Sequence, residues 1–149
     1  MLVVDQNSQL VGALVDAYSA VVLRKVGLDW LALLLGPGGF AEGDIFFYHD
    51  KADCSDPRMV LTQFTYGFVY PAQFHNGTFF YTKVLDPMMT GPRQSVRYRE
   101  RFAAGVDASV VDPSRCEASE FGTDPQSVGS VVTASDSAVT ALVTPFKIK

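Results

Sequence analysis

The side chains best suited to chemistry in this sequence are its two histidines, His49 and His75. Either could serve as the general base of a serine or cysteine hydrolase. Neither lies in a supporting motif, because no GxSxG segment occurs and His75 adjoins an Asn76-Gly77 turn, where a polar side chain needs no special explanation. The sequence therefore predicts no catalytic residue and no enzyme, and a small hydrolase is kept only as a third alternative.

Three aspartates, Asp50, Asp53 and Asp56, lie three residues apart and superficially suggest a calcium site. An EF-hand loop places its ligands at every second position and ends with a bidentate glutamate, and neither feature is present. We expect Asp53 to accept backbone N–H bonds in a turn instead. No metal ion and no cofactor are predicted.

Two cysteines, Cys54 and Cys116, lie far apart in the chain, with no CxxC pattern and no histidine pair nearby. This arrangement excludes a zinc cage and a thioredoxin-type motif. Two readings stay open at this point. The cysteines form one disulfide, or they are two buried free thiols in a reducing compartment.

Arginines alternate with other residues between positions 96 and 102. In a strand, Arg97, Arg99 and Arg101 share the face opposite Val96, Tyr98 and Phe102. The row could contact an anion such as a sulfated glycan, a lipid phosphate or a carboxylate of another protein. The alternative, which we favour, is that these arginines keep an exposed strand face soluble.

Aromatic residues concentrate between positions 46 and 81. Most of them are expected in the core, but they are more numerous than a small β-sandwich core requires. Because strand residues two apart share a face, some should form an outer stripe. That stripe would be a subunit interface or a sugar-stacking platform. The candidates are Tyr66, Phe68, Tyr70 and Tyr81.

The composition bounds what kind of protein this is. The 149 residues include 12 Lys+Arg and 16 Asp+Glu, for a net charge of −4, with 48% hydrophobic and 19% charged residues. A chain of this length can bury one core without a metal. The acidic balance argues against a nucleic-acid partner, and no apolar run approaches the roughly 20 residues of a membrane span. The sequence also starts without the basic and apolar pattern of a signal peptide.

The elements that carry these residues are predicted to be short strands. Residues 2–12 and 20–35 read as two hairpins, although Leu10, Leu14, Ala17, Tyr18 and Val21 also fit a helical stripe. Asn76-Gly77 predicts a type I′ hairpin turn. Further strands are expected at 45–49, 59–70, 79–85 and 96–102.

The C-terminal third has a different composition. Residues 107–137 are rich in Ser, Asp, Gly and Pro and are expected to form a long loop held by Cys116. Residues 138–148 predict one final strand interrupted at Pro145. With nine or ten strands and no convincing helix, we predict one all-β domain over residues 1–149, an antiparallel sandwich of jelly-roll type or a barrel.

Several segments taken together resemble a family of bacterial exported β-domains. They include Leu10-Val11-Gly12, residues 22–26 leading to Trp30-Leu31-Ala32-Leu33, residues 52–55 (Ala-Asp-Cys-Ser), the later Cys116 and the ending Thr144-Pro145-Phe146-Lys147-Ile148. Members of this family are often the C-terminal module of a protein, sometimes after collagen-like repeats. The resemblance implies a cell-surface or extracellular domain in which Cys54 and Cys116 are paired.

These observations predict a non-enzymatic extracellular interaction domain that acts in self-assembly, with a trimer favoured, or in surface attachment. A virion surface is an alternative location. A carbohydrate-binding module that stacks sugars on surface Tyr and Phe is the alternative function. Because the sequence begins without a signal pattern, we expect the chain to be a module of a longer exported protein or to be exported by another route.

Overall fold

The structure is a computed structural model that describes residues 1–63, 69–84 and 93–149. The described residues are mostly in short strands. Their bounds in chain order are β1 Leu2–Val4, β2 Leu10–Asp16, β3 Val21–Val26, β4 Asp29–Gly36, β5 Gly39–Phe40, β6 Ile45–His49, β7 Met59–Leu61, β8 Val69–Pro71, β9 Gln73–His75, β10 Thr78–Tyr81, β11 Arg93–Gln94, β12 Tyr98–Phe102, β13 Cys116–Ala118, β14 Gln126–Ser130, β15 Val132–Ala134 and β16 Lys147–Ile148.

Within the described ranges the strands form three sheets. The first sheet has the order β16-β1-β2-β3-β4-β5, and β8 also pairs with β4, in parallel. The middle sheet has the order β15-β10-β9, and the third has the order β11-β14-β7-β6-β12-β13. The all-β sandwich prediction is confirmed, since antiparallel sheets pack together and do not close into a barrel.

Aspartates shape the turns of the first sheet. Asp5 Oδ1 accepts hydrogen bonds from the backbone N–H groups of Asn7 and Gln9, which fixes the β1–β2 turn. Asp16 Oδ1 accepts from Tyr18 and Ser19 N–H after β2. Local capping of this kind lets polar residues reverse the chain between two apolar strands. Both predicted hairpins are confirmed, and so is strand over helix.

Strand β10 belongs to both parts of the core. Phe79 and Tyr81 pack with the inner face of the first sheet, whereas Phe80 packs with Ile45, Phe47 and Phe102 of the third sheet. This division follows from the alternation of side chains along a strand. The middle sheet is therefore a layer between the other two, and the first sheet has its other face turned away from the core.

The hairpin that contains β10 forms as its sequence predicts. Asn76 and Gly77 have φ values of 48° and 82°, and Thr78 pairs with His75. Positive φ at both central residues is the requirement of a type I′ turn. Leu85, the last residue of the predicted return strand, lies outside the described residues, and β10 ends at Tyr81.

Two predictions for the C-terminal third are wrong. Residues 107–137 are not one loop, because they contribute β13, β14, β15 and a 3₁₀ helix, Pro113–Arg115. Residues 138–148 do not form one strand, since the helix α1, Ser137–Thr140, occupies their start and only Lys147–Ile148 at their end form a strand, β16. Asp136 caps α1 by accepting from Ala138 N–H. Neither helical segment among the described residues has the length and apolar character of a membrane-spanning helix.

Candidate functional site

The face of the first sheet that is turned away from the core is largely apolar. We call it the outer face and define it by Leu2, Leu10, Ala13, Val15, Asp16, Val21, Leu23, Lys25, Trp30, Ala32 and Leu34. Leu10, Trp30 and Leu34 are 55%, 47% and 54% exposed. The neighbouring strand residues, such as Val22, Leu31 and Leu33, are buried on the opposite side. The sheet is thus apolar on both faces.

Cross-strand pairing arranges the outer face in rows. Val21 of β3 is opposite Leu34 of β4, Leu23 is opposite Ala32, and Lys25 is opposite Trp30. Ala13 of β2 is opposite Leu23, and Leu2 of β1 is opposite Ala13. The row that crosses four strands, which we call the central row, contains Leu2, Ala13, Leu23 and Ala32.

Two shallow grooves follow these rows and meet at Leu23. One, of about 370 Å³, is lined by Val15, Asp16, Val21, Leu23 and Ala32. The other, of about 480 Å³, lies between Leu2, Leu10 and Trp30. Lining of this composition suits another apolar surface better than a small polar ligand.

The three arginines, Arg97 just before β12 and Arg99 and Arg101 within it, lie on the face opposite buried Val96, Glu100 and Phe102, as the alternation predicts. Each arginine contacts a carboxylate, however. Arg97 pairs with Asp50 at 3.1 Å, and Arg101 pairs with Asp44 at 2.7 Å. Arg99 contacts Glu117 at 2.9 Å and Glu120 at 2.7 Å. The row is therefore not a free positive strip, and the anion-contact interpretation gains no support.

The aromatic candidates are placed differently from what the period-two pattern predicts. Tyr81 is only 3% exposed, so the prediction that it is an outer stacking residue is wrong. Its ring stacks on half-buried Tyr70 with centroids 5.8 Å apart, and its hydroxyl donates to Asp29 at 2.6 Å. Burial and the Asp29 carboxylate raise the pKa of Tyr81. Tyr66 and Phe68 lie outside the described residues.

The cysteines are joined by a disulfide, with Cα atoms 5.8 Å apart. Cys54 lies in the loop after β6 and Cys116 begins β13, so the bond connects two segments on either side of β12. This arrangement supports the paired alternative and excludes two free thiols. Asp53 accepts a hydrogen bond from Ser55 N–H in the same loop, as expected.

A buried charge cluster lies next to this disulfide, and the sequence pattern did not predict it. Glu100 of β12 is fully buried and accepts hydrogen bonds from His49 Nε2 at 2.6 Å and from Arg58 Nε and Nη2 at 3.0 Å each. The Asp112 N–H also donates to it, at 3.1 Å. The Arg58 guanidinium lies 4.2 Å from the centroid of the Phe47 ring. Glu100 thereby connects β6, β12 and two loops.

Electrostatics keep this cluster charged. Burial opposes ionisation of Glu100, but hydrogen bonds from His49, Arg58 and Asp112 outweigh it and lower the pKa of Glu100 to about 2. Burial also opposes charging of His49, but Glu100 and then Asp56 outweigh it and raise the pKa of His49. Asp56 Oδ1 lies 3.0 Å from His49 Nδ1. The imidazole is thus held between two carboxylates.

Neither histidine has the setting of a surface general base. His49 is completely buried, and its ring nitrogens contact the acids just described. His75 is 1% exposed, with its ring nitrogens 3.2 Å from Gly43 O and 2.7 Å from Val106 O. Both therefore connect segments of the fold. Within the described ranges, no group of three His, Cys, Asp or Glu residues is arranged to hold a metal ion.

The sequence does contain a signal for the outer face. Residues 30–35 form an uninterrupted apolar run, Trp-Leu-Ala-Leu-Leu-Leu. Strands with continuous apolar runs are typically covered on both faces, whereas a half-exposed strand alternates with polar residues. In this structure the core covers one side of that run, and the other side is the outer face.

Comparison with known proteins places the chain in no group. No protein-family model, no curated protein and no solved structure matches it.

Proposed function

We propose that this chain is a non-enzymatic structural module that self-associates through the outer face of its first sheet. The observation that supports this most strongly is the exposure of Leu10, Trp30 and Leu34 on a sheet whose other face is already core. Removing apolar surface from water contributes roughly 25 cal/mol for each Å² buried. Covering this face would therefore stabilise an assembly.

A second copy of the chain is the occupant that the face suits best. Its two charged members, Asp16 and Lys25, carry opposite signs and lie in different rows. A surface of this kind can be complementary to itself. Isologous contacts between identical patches are the commonest way in which soluble proteins form oligomers.

The disulfide supports an extracellular, cell-surface or virion-surface location for this module. Disulfides such as Cys54–Cys116 form and persist in oxidising environments and are rare in the reducing cytosol. The trimer that the sequence resemblance implies is the alternative to an isologous dimer, and the role in adhesion stays a prediction. The carbohydrate-binding alternative also stays a prediction, with Tyr70 as its half-exposed candidate among the described residues.

Light scattering after size-exclusion chromatography tests the proposal. The wild-type chain should elute as an oligomer at micromolar concentration. Leu34→Glu places a charge in the outer face and should give a monomer. Val110→Glu is the matched control, because Val110 is 71% exposed and lies outside the outer face, and this variant should remain oligomeric. A wild-type chain that stays monomeric at tens of micromolar would contradict the proposal.

A further inference from the structure

We propose that two copies pack their outer faces together about a two-fold axis. The axis runs parallel to the central row and lies midway between the two facing sheets. This inference rests on the proposed self-association and specifies its symmetry. The axis lies parallel to the sheets and perpendicular to the strands. The strands of the two copies then run in opposite directions, within about 30° of each other, as in aligned sheet packing.

The rows on either side of the axis exchange places between the copies. One flanking row contains Val21 and Leu34, and the other contains Lys25 and Trp30. These rows are four residues apart along β3, a distance of about 13 Å. Rotation by 180° about the central row places Trp30 over the partner's Leu34, so the two large exposed apolar side chains cover each other.

The same rotation pairs the charges. Asp16 is opposite Val21 in the β2–β3 register, so it belongs to the row of Val21 and Leu34. The rotation places the partner's row of Lys25 and Trp30 over this row. The contact forms twice, once on each side of the axis. Both side chains are exposed in the single chain. Across sheets roughly 10 Å apart, their lengths allow the ammonium and carboxylate groups to meet.

A two-fold axis parallel to the strands is less compatible with these positions. It would place each row over the same row of the partner. Lys25 and the partner's Asp16, which belong to different rows, would then stay about 13 Å apart along the strands and could not pair. Charge complementarity therefore selects the axis along the central row.

A charge-reversal pair tests this geometry. Lys25→Glu makes both charged positions acidic, and Asp16→Lys makes both basic. Each variant alone should raise the dissociation constant of the dimer about ten-fold or more through repulsion. An equimolar mixture should associate close to the wild-type level, because every contact again joins opposite charges. Lys51→Glu is the control, since it changes the net charge equally at an exposed position outside the outer face and should leave the dissociation constant unchanged.

Asp16 also caps the turn after β2, so a milder variant is included. Asp16→Asn keeps an oxygen that can accept from Tyr18 and Ser19 N–H. Mixed with Lys25→Glu, it should associate more tightly than Lys25→Glu alone. Sedimentation equilibrium measures each constant and the mass of the assembly.

The outcomes separate this inference from the function on which it rests. A wild-type monomer would overturn both. A wild-type trimer, or a dimer whose dissociation constant neither charge reversal changes, would overturn the two-fold geometry while supporting self-association. Loss of association in each single variant with recovery in the mixture is the result that the geometry predicts.

Discussion

Glu100 connects several segments around the third sheet. Its carboxylate is fully buried and is held by His49, Arg58 and the Asp112 N–H. A buried charge of this kind is tolerated only when its partners satisfy it. The alternation on β12 predicts an inward position for residue 100, but nothing local identifies Arg58 or His49 as its partners, because they come from distant segments.

Glu100→Gln should lower the free energy of unfolding by about 3–5 kcal/mol, since it leaves the largely buried Arg58 without its counter-charge and His49 with Asp56 alone. Urea unfolding followed by circular dichroism measures the change. Glu117→Gln is the control, because Glu117 pairs with Arg99 on an exposed face and should cost no more than about 1 kcal/mol. Equal effects of the two substitutions would contradict the importance of the buried cluster.

The cluster also predicts how stability depends on pH. The folded-state pKa of Glu100 lies near 2, below its ordinary 4.5, so its contribution is present above about pH 4.5 and is lost as the pH falls towards 2. The pKa of His49 is raised above 6.5, so its contribution is present below pH 6.5 and is lost as the pH rises through the raised value.

We therefore expect the unfolding free energy of the wild-type chain to be greatest between about pH 4.5 and 6.5. Urea midpoints measured from pH 2.5 to 9 should show the maximum, and Glu100→Gln should flatten the profile on both sides. An identical pH profile for the two proteins would show that the cluster does not control it.

At the level of elements, Gly129 of β14 fits where no larger residue can. An added Cβ would clash with Thr82 Oγ1 and with the side chain of Val84. Because both neighbours belong to the segment directly after β10, the glycine allows the third sheet to approach the middle sheet closely.

Gly129→Ala should therefore lower the unfolding free energy by about 1–3 kcal/mol. Gly38→Ala is the matched control, since its added Cβ would meet no atom within 4 Å. Thermal and urea unfolding of both variants should place Gly38→Ala close to wild type. A Gly129→Ala protein as stable as wild type would show that the contact can relax without cost.

The sequence predicts those elements whose formation is local. The β1–β2 and β3–β4 hairpins and the Asn76-Gly77 turn carry their own capping or turn residues, and all three are confirmed. Strands β13, β14 and β15 are short and contain Ser, Gly and Glu, which have little preference for strands. They form through pairing with β12, β7 and β10, which the local sequence does not encode.

The disulfide shows the same limit between local and distant information. Two cysteines in the sequence leave both a bond and two free thiols open, and the fold shows Cys54 and Cys116 together. Closing a loop with a sequence separation of 62 contributes about 4 kcal/mol in the chain-entropy model. That contribution is comparable with a large share of the net stability of a domain of this size.

For the whole molecule, the distribution of apolar residues distinguishes the outer face from the aromatic candidates. Several described aromatic residues of segment 46–81 contribute to the core, since Phe47, Phe79, Phe80 and Tyr81 are buried. Most of the large exposed apolar side chains among the described residues lie instead within the first 34 residues, on the two N-terminal hairpins. An excess of aromatics predicts that a surface must be covered, but it does not predict which one, because burial depends on how the three sheets are layered.

Trp30 provides the most direct test that the outer face is covered by a second copy. It is the only tryptophan of the sequence, it belongs to the outer face, and it is 47% exposed in the single chain. Its fluorescence therefore reports on this surface alone. Emission spectra and acrylamide quenching are recorded while the wild-type protein is diluted, with Leu34→Glu as the reference that should remain monomeric.

On dilution, the wild-type emission should shift to longer wavelength and become more easily quenched, over the same concentration range in which the mass falls. Leu34→Glu should show the spectrum of the diluted protein at every concentration. A wild-type spectrum and quenching constant that do not change with concentration, in a protein shown by light scattering to associate, would place the interface elsewhere and contradict self-association through the outer face.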